Sequence, residues 1–117
     1  MEKTKTSLVE LQARFVMVGM GNDSRLAVTI EQAQGIWFLC PKCFNEPPRG
    51  PIMVHRVICW FRNRKVPTEL EPGPGRWNIE GKGIEDLTFV APGNLSVQLF
   101  EGCDAHFFIK EGYAIDY

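Results

Sequence analysis

Leu26, Val28 and Ile30 alternate with Ala27 and Thr29 along residues 25–31, and this period of two predicts a strand with one apolar face. Upstream, Leu8, Leu11, Phe15 and Val18 sit at helical spacing, whereas residues 15–18 are aromatic and β-branched enough for a strand. We read a strand there, ended by the turn-forming run Gly19-Met20-Gly21-Asn22-Asp23. Gly35 opens a short buried strand over 36–39 that runs directly into Cys40. Residues 54–61 are apolar on both faces, the pattern of a central strand. Its odd face carries His55, Val57, Cys59 and Phe61; its even face carries Val54, Arg56, Ile58 and Trp60.

Further short apolar runs cover 76–79, 87–90, 95–100, 106–109 and 113–115, punctuated by Gly81, Gly83, Pro92-Gly93-Asn94, Gly102 and Glu111-Gly112. Pro47-Pro48-Arg49-Gly50-Pro51 and Glu71-Pro72-Gly73-Pro74-Gly75 are not helical and read as extended connectors. No repeat of fold-defining period is present. The pattern predicts a mainly β protein, a compact antiparallel sandwich or barrel-like sheet, in one domain spanning 1–117 with residues 1–8 flexible. A chain this short buries about 65% of its unfolded surface, so a metal cross-link would matter to its stability.

Charge narrows the partners. Lys and Arg number 13 against 14 Asp and Glu, giving a net charge of −1 and a pI near 6.1. That balance weighs against a broad nucleic-acid surface and leaves a protein as the expected partner. The local exception is Arg56, Arg62, Arg64 and Lys65, which reads either as a solvated strand end or as a phosphate site. No apolar run approaches the ~20 residues of a membrane span, and Glu10, Gln12 and Arg14 break the segment where a secretory signal would lie. The expectation is a cytoplasmic protein, whose thiols stay reduced and whose paired cysteines point to metal rather than disulfide.

The chemistry concentrates in two short motifs. Cys40-Pro41-Lys42-Cys43 is C-x₂-C and Cys103-Asp104-Ala105-His106 is C-x₂-H. Two-residue spacing lets one tight turn bring both side chains to an ion, and a second such turn completes a tetrahedron. Thiolate and imidazole suit zinc better than calcium or magnesium. Each pair follows an apolar run, so two zinc knuckles at one end of the sheet are expected. The long segment between them means the ion ties early strands to late ones. Buried inert cysteines, a redox C-x₂-C and an iron–sulfur site are the competing readings.

His55 and Cys59, H-x₃-C on one face of the 54–61 run, are first a core histidine and thiol, and second a replacement for His106 as fourth ligand. Four protein ligands make a closed, structural site. Glu101 lies two residues before the second motif and Asp104 within it, and either would assist a water only if one ligand stood aside. G-x-S-x-G, H-E-x-x-H, Walker-type and deaminase patterns are absent from the sequence. Trp37, Trp60, Trp77, Phe107 and Phe108 are a base-stacking platform in one reading and core in the plainer one.

Leu11-x-x-Arg14-Phe15-Val16, Cys40-Pro-x-Cys43, Trp77 ahead of Gly83-x-x-Asp86-Leu87-Thr88, and Gly102-Cys103-x-x-His106-Phe107-Phe108-Ile109-x-x-Gly112 together resemble an uncharacterised family of bacteria and bacteriophages, domain of unknown function 6527. The resemblance covers most of the chain from Leu11, and its specific part is the C-terminal block. It fades between Gly19 and Gly35, and the first motif lacks the glycine and extra cysteine often found there. It implies a phage or prophage setting, hence host cytoplasm, and a metal on Cys40, Cys43, Cys103 and His106, but no reaction.

Three functions are compatible with these residues. The first is a zinc-stabilised, non-enzymatic module that binds a host or phage protein, for instance to inhibit a host defence or enzyme. The others are a zinc-dependent hydrolase or peptidase-like enzyme and a single-stranded nucleic-acid binder.

Overall fold

In the computed structural model of the chain the described residues are 5–19, 24–45, 54–70, 76–90, 96–98 and 105–116. In chain order they form β1 (Lys5–Ser7), β2 (Arg14–Val18), β3 (Ser24–Leu26), β4 (Gly35–Leu39), α1 (Pro41–Asn45), β5 (Arg56–Trp60), β6 (Asn78–Glu80), a 3₁₀ turn (Ile84–Asp86), β7 (Thr88–Val90), β8 (Ser96–Gln98), β9 (His106–Lys110) and β10 (Tyr113–Asp116). Among the described residues these strands make two four-stranded antiparallel sheets, ordered β1-β10-β9-β8 and β3-β2-β4-β5, and a β6-β7 ribbon. The radius of gyration is 13.5 Å, against about 13 Å for a folded domain of this length. The expected mainly β, compact antiparallel architecture is therefore the observed one.

The first sheet is organised by the β9–β10 hairpin. Glu111 and Gly112 both take positive φ, 50° and 80°, the requirement of the tight two-residue turn that matches strand twist. Gly112 accepts a hydrogen bond from the Leu8 N–H and donates one to the Leu87 carbonyl, each at 2.9 Å. The hairpin tip thus joins the start of the chain to the approach to β7.

Alternation along the second sheet separates its two faces. Phe15, Ile36, Phe38, Val57 and Cys59 look inward and share one core with Val97, Phe107, Ile109 and Ala114 of the first sheet. Phe38 and Phe107 meet edge-to-face across this core, with ring centroids 5.9 Å apart and planes at 77°. Trp77 stacks on Phe89 at 5.5 Å beside the ribbon. The other face of the second sheet carries a smaller cluster of Val16, Trp60 and Leu70.

Several expectations change. The strand expected over 25–31 stops at Leu26. Beyond it, Val28 N–H bonds the Gln32 side chain, and Gln32 N–H bonds the Thr29 hydroxyl and carbonyl. These local partners turn the chain before a ladder can continue. Leu26 and Val28 are consequently 67% and 89% exposed, while Ile30 is buried. Among the described residues β5 lies at a sheet edge rather than the centre. It is apolar on both faces because one lines the core and the other meets Leu70 and Val66, and its edge is extended by a bridge from Phe61 to Trp77. Of the segment 1–8 expected to be flexible, residues 1–4 lie outside the described residues, while 5–8 contain β1, paired with β10, and Leu8, which is fully buried. The tight turn expected at Cys40–Cys43 is a helical one, α1. The two Pro/Gly connectors and Cys103 of the C-x₂-H motif lie outside the described residues.

Candidate metal centre

β4 delivers Cys40 at its end, and Pro41 then occupies the first helical position, where a missing N–H costs nothing. The Phe44 N–H closes on the Cys40 carbonyl at 2.9 Å. Three residues apart on this turn, Cys40 and Cys43 fall on the same side. Both are buried, at 0% and 8% exposure, and both belong to the main core.

The third group comes from the neighbouring strand. β4 pairs with β5 with Leu39 opposite Arg56, and one step further the Cys40 N–H donates to the His55 carbonyl at 2.8 Å. The chain pairing itself therefore carries His55 to the C-x₂-C turn. The ligand atoms of Cys40, Cys43 and His55 all lie within 4.8 Å of one another. Zinc–ligand bonds of about 2.0–2.3 Å put two sulfurs on a tetrahedral ion about 3.8 Å apart, so this group needs little adjustment to close on a metal. None of the described cysteines is in a disulfide. Two thiols and an imidazole form a donor set for zinc and its soft neighbours, not for calcium or magnesium. Burial falls across the site from Cys40, fully enclosed, through Cys43, at 8% exposure, to the exposed His55 at the rim of the core.

Of the four residues singled out in the sequence, Cys40 and Cys43 are brought together and Cys103 lies outside the described residues. His106 is half-buried at the start of β9, with its Nε2 3.0 Å from the Ser96 hydroxyl, and is not a member of the three-ligand group. In β9 it alternates with Phe107, whose ring points into the core. His55, the alternative to His106 in the sequence, is the histidine beside the thiols. The signal for it was the antiparallel register: a cysteine just after one strand faces a histidine just before the next. Cys59, fully buried opposite Ile36, is outside the group, and burial pushes its thiol pKa up. Glu101 and Asp104 lie outside the described residues, and no described carboxylate belongs to the group.

The other candidates resolve into structural roles in part. Arg64 donates to the carbonyls of Ile30 and Ala33 at 2.9 and 2.7 Å, holding the turn after β3. Arg56 lies over the Trp37 ring, 4.0 Å from its centroid. Trp60, Trp77 and Phe107 are core residues, while Trp37 and Phe108 are half-buried. Among the described residues no helix is long and apolar enough to cross a membrane. No family model matches the chain, and no curated protein or solved structure is significantly similar to it.

Proposed function

We propose that this chain is a small zinc-stabilised β-domain that acts by binding another protein rather than by catalysis. The observation that carries the reading is the convergence of Cys40, Cys43 and His55 at the edge of the core. In this proposal Cys103 is the fourth ligand. Ala105, two residues further on, is buried in the same core as Cys40 and Cys43, and the Phe38–Phe107 contact brings the start of β9 towards the end of β4. A Cys₃His set is closed, which favours a structural role. Such an ion would join β4, α1 and β5 to the segment leading into β9, and so fasten one sheet to the other.

The magnitude makes the metal decisive. Structural zinc supplies about 10–16 kcal/mol of apparent binding energy in finger peptides, which equals or exceeds the ~5–15 kcal/mol stability of a small domain. The phage or prophage setting, with a host protein as the target, belongs to the same proposal and rests on the sequence resemblance alone.

Thermal melting with and without a strong zinc chelator tests it. The expected result is loss of the cooperative transition on chelation and its return with added zinc; an unchanged melting temperature would overturn it. The exposed flank of His55 favours one second reading, in which a water replaces Cys103 and the metal is hydrolytic. X-ray absorption separates the two: three sulfurs and one nitrogen support the binding module, two sulfurs with nitrogen and oxygen the hydrolase.

A further inference from the structure

Among the described residues, the outward face of the second sheet is half covered. Its cross-strand rows run Leu26–Val16–Gly35–Trp60 and Arg14–Trp37–Ile58, followed by Leu39–Arg56. Val66 and Leu70 pack over the Trp60 end of this face. At the other end Trp37 is half-buried, with Arg56 stacked on its ring and Arg14 directly opposite it in β2. Beside them Val16, Arg25, Leu26 and Trp37 line a shallow pocket of about 160 Å³.

The outward rows of this sheet carry two arginines, Arg14 and Arg56, and its four strands contain no Asp or Glu, in a chain whose net charge is −1. Both arginines are exposed. A guanidinium stacked on an aromatic ring keeps its in-plane N–H donors available for a carboxylate. Among the described residues β3 lies at the sheet edge. Met17 pairs with Arg25, and the Ala27 N–H bonds the Phe15 carbonyl, so antiparallel alternation directs the N–H and C=O of Leu26 away from β2.

We propose that this half-face docks an extended acidic peptide segment of a partner protein: an apolar side chain fills the pocket, carboxylates meet the arginines, and the backbone pairs along β3. The inference rests on the binding-module reading and names the chemistry of its partner. A polynucleotide fits less well. The sheet offers one accessible indole and no lysine, whereas a small pocket beside a strand edge suits alternate side chains of a strand.

The test pans a displayed library of random linear peptides against the zinc-loaded protein, then measures the enriched peptides by fluorescence polarisation. Arg14→Glu and Leu26→Glu are the test variants, since both side chains are exposed and neither is a metal ligand. The expected outcome is enrichment of acidic sequences with an apolar anchor, bound about tenfold more weakly by each variant and more weakly in high salt. No enrichment, enrichment of basic sequences, binding indifferent to both variants, or competition by an oligothymidine would each overturn the proposal. Zinc content and melting temperature of the same samples report separately on the metal site, so failure here is distinguishable from failure of the binding-module reading itself.

Discussion

Cys40 donates its backbone N–H to the carbonyl of His55 at 2.8 Å, so the thiol pair and the imidazole are held together by the sheet before any metal is present. The hydrogen bond continues the β4–β5 ladder one step past Leu39 and Arg56. A site placed this way is preorganised on its own strands, and only its remaining ligand must come from elsewhere. A metal bound as proposed would add a long-range tie to this short-range one.

The joint between the sheets should be expensive to empty. Phe107 is 1% exposed and contacts Phe38 edge-to-face. Phe107→Ala removes that contact and leaves a cavity, at a cost of about 3–5 kcal/mol. Urea unfolding checks it: a midpoint barely below that of the native chain would show that the sheets are not joined there.

The hairpin tip discriminates between two glycines. A Cβ on Gly112, at φ 80°, would press on the Glu85 carbonyl, whereas one on Gly83 meets nothing within 4 Å. Gly112→Ala should therefore cost more than ~1 kcal/mol, and Gly83→Ala should fall within ~0.5 kcal/mol of neutral. Equal effects in a melting comparison would contradict the packing of β9–β10 on the turn before β7.

Much of this was legible in the sequence, and the misses have physical causes. The 36–39, 106–109 and 113–115 runs became β4, β9 and β10 because their apolar periodicity coincides with burial in one core. Residues 28–31 failed because Thr29 and Gln32 supplied local hydrogen bonds that no periodicity reports. Lys5 and Thr6 carry no apolar signal, yet pairing with Ile115 and Ala114 makes them a strand. At the site, C-x₂-C identified Cys40 and Cys43 from spacing alone. His55 was left as an alternative because its proximity depends on strand register, which no single-sequence pattern reports.

Asp86 should titrate at unusually low pH. Its carboxylate accepts from the Gly83 N–H at 3.0 Å and the Lys82 N–H at 2.8 Å, and these two bonds lower its pKa from 3.8. Because the folded pKa is the lower one, its contribution to stability is present above pH 3.8 and fades as pH falls through the folded value. Carboxyl-detected NMR should give a midpoint below 3.8, and a midpoint at or above it would show that the loop does not hold the carboxylate.

Cys59 carries the opposite sign. Burial raises its thiol pKa above its ordinary value. Its neutral form stabilises the fold fully below the ordinary thiol pKa of about 8.5, and the unfolded state gains by ionising above it. The resulting loss is about 1.4 kcal/mol per pH unit. Cys59→Ala should shrink the stability difference between pH 8 and pH 10, each pH being set within about one unit of the thiol's range; an unchanged difference would mean that the thiol is accessible when folded.

The most direct test of the account is the zinc content, by elemental mass spectrometry, of the purified protein and its His55→Ala and His106→Ala variants. The account predicts one zinc per chain in the unaltered protein, retention in His106→Ala, and loss together with thermal stability in His55→Ala. Zinc kept without His55 but lost without His106 would contradict the ligand set, and a protein that melts normally with no metal at all would contradict the central claim.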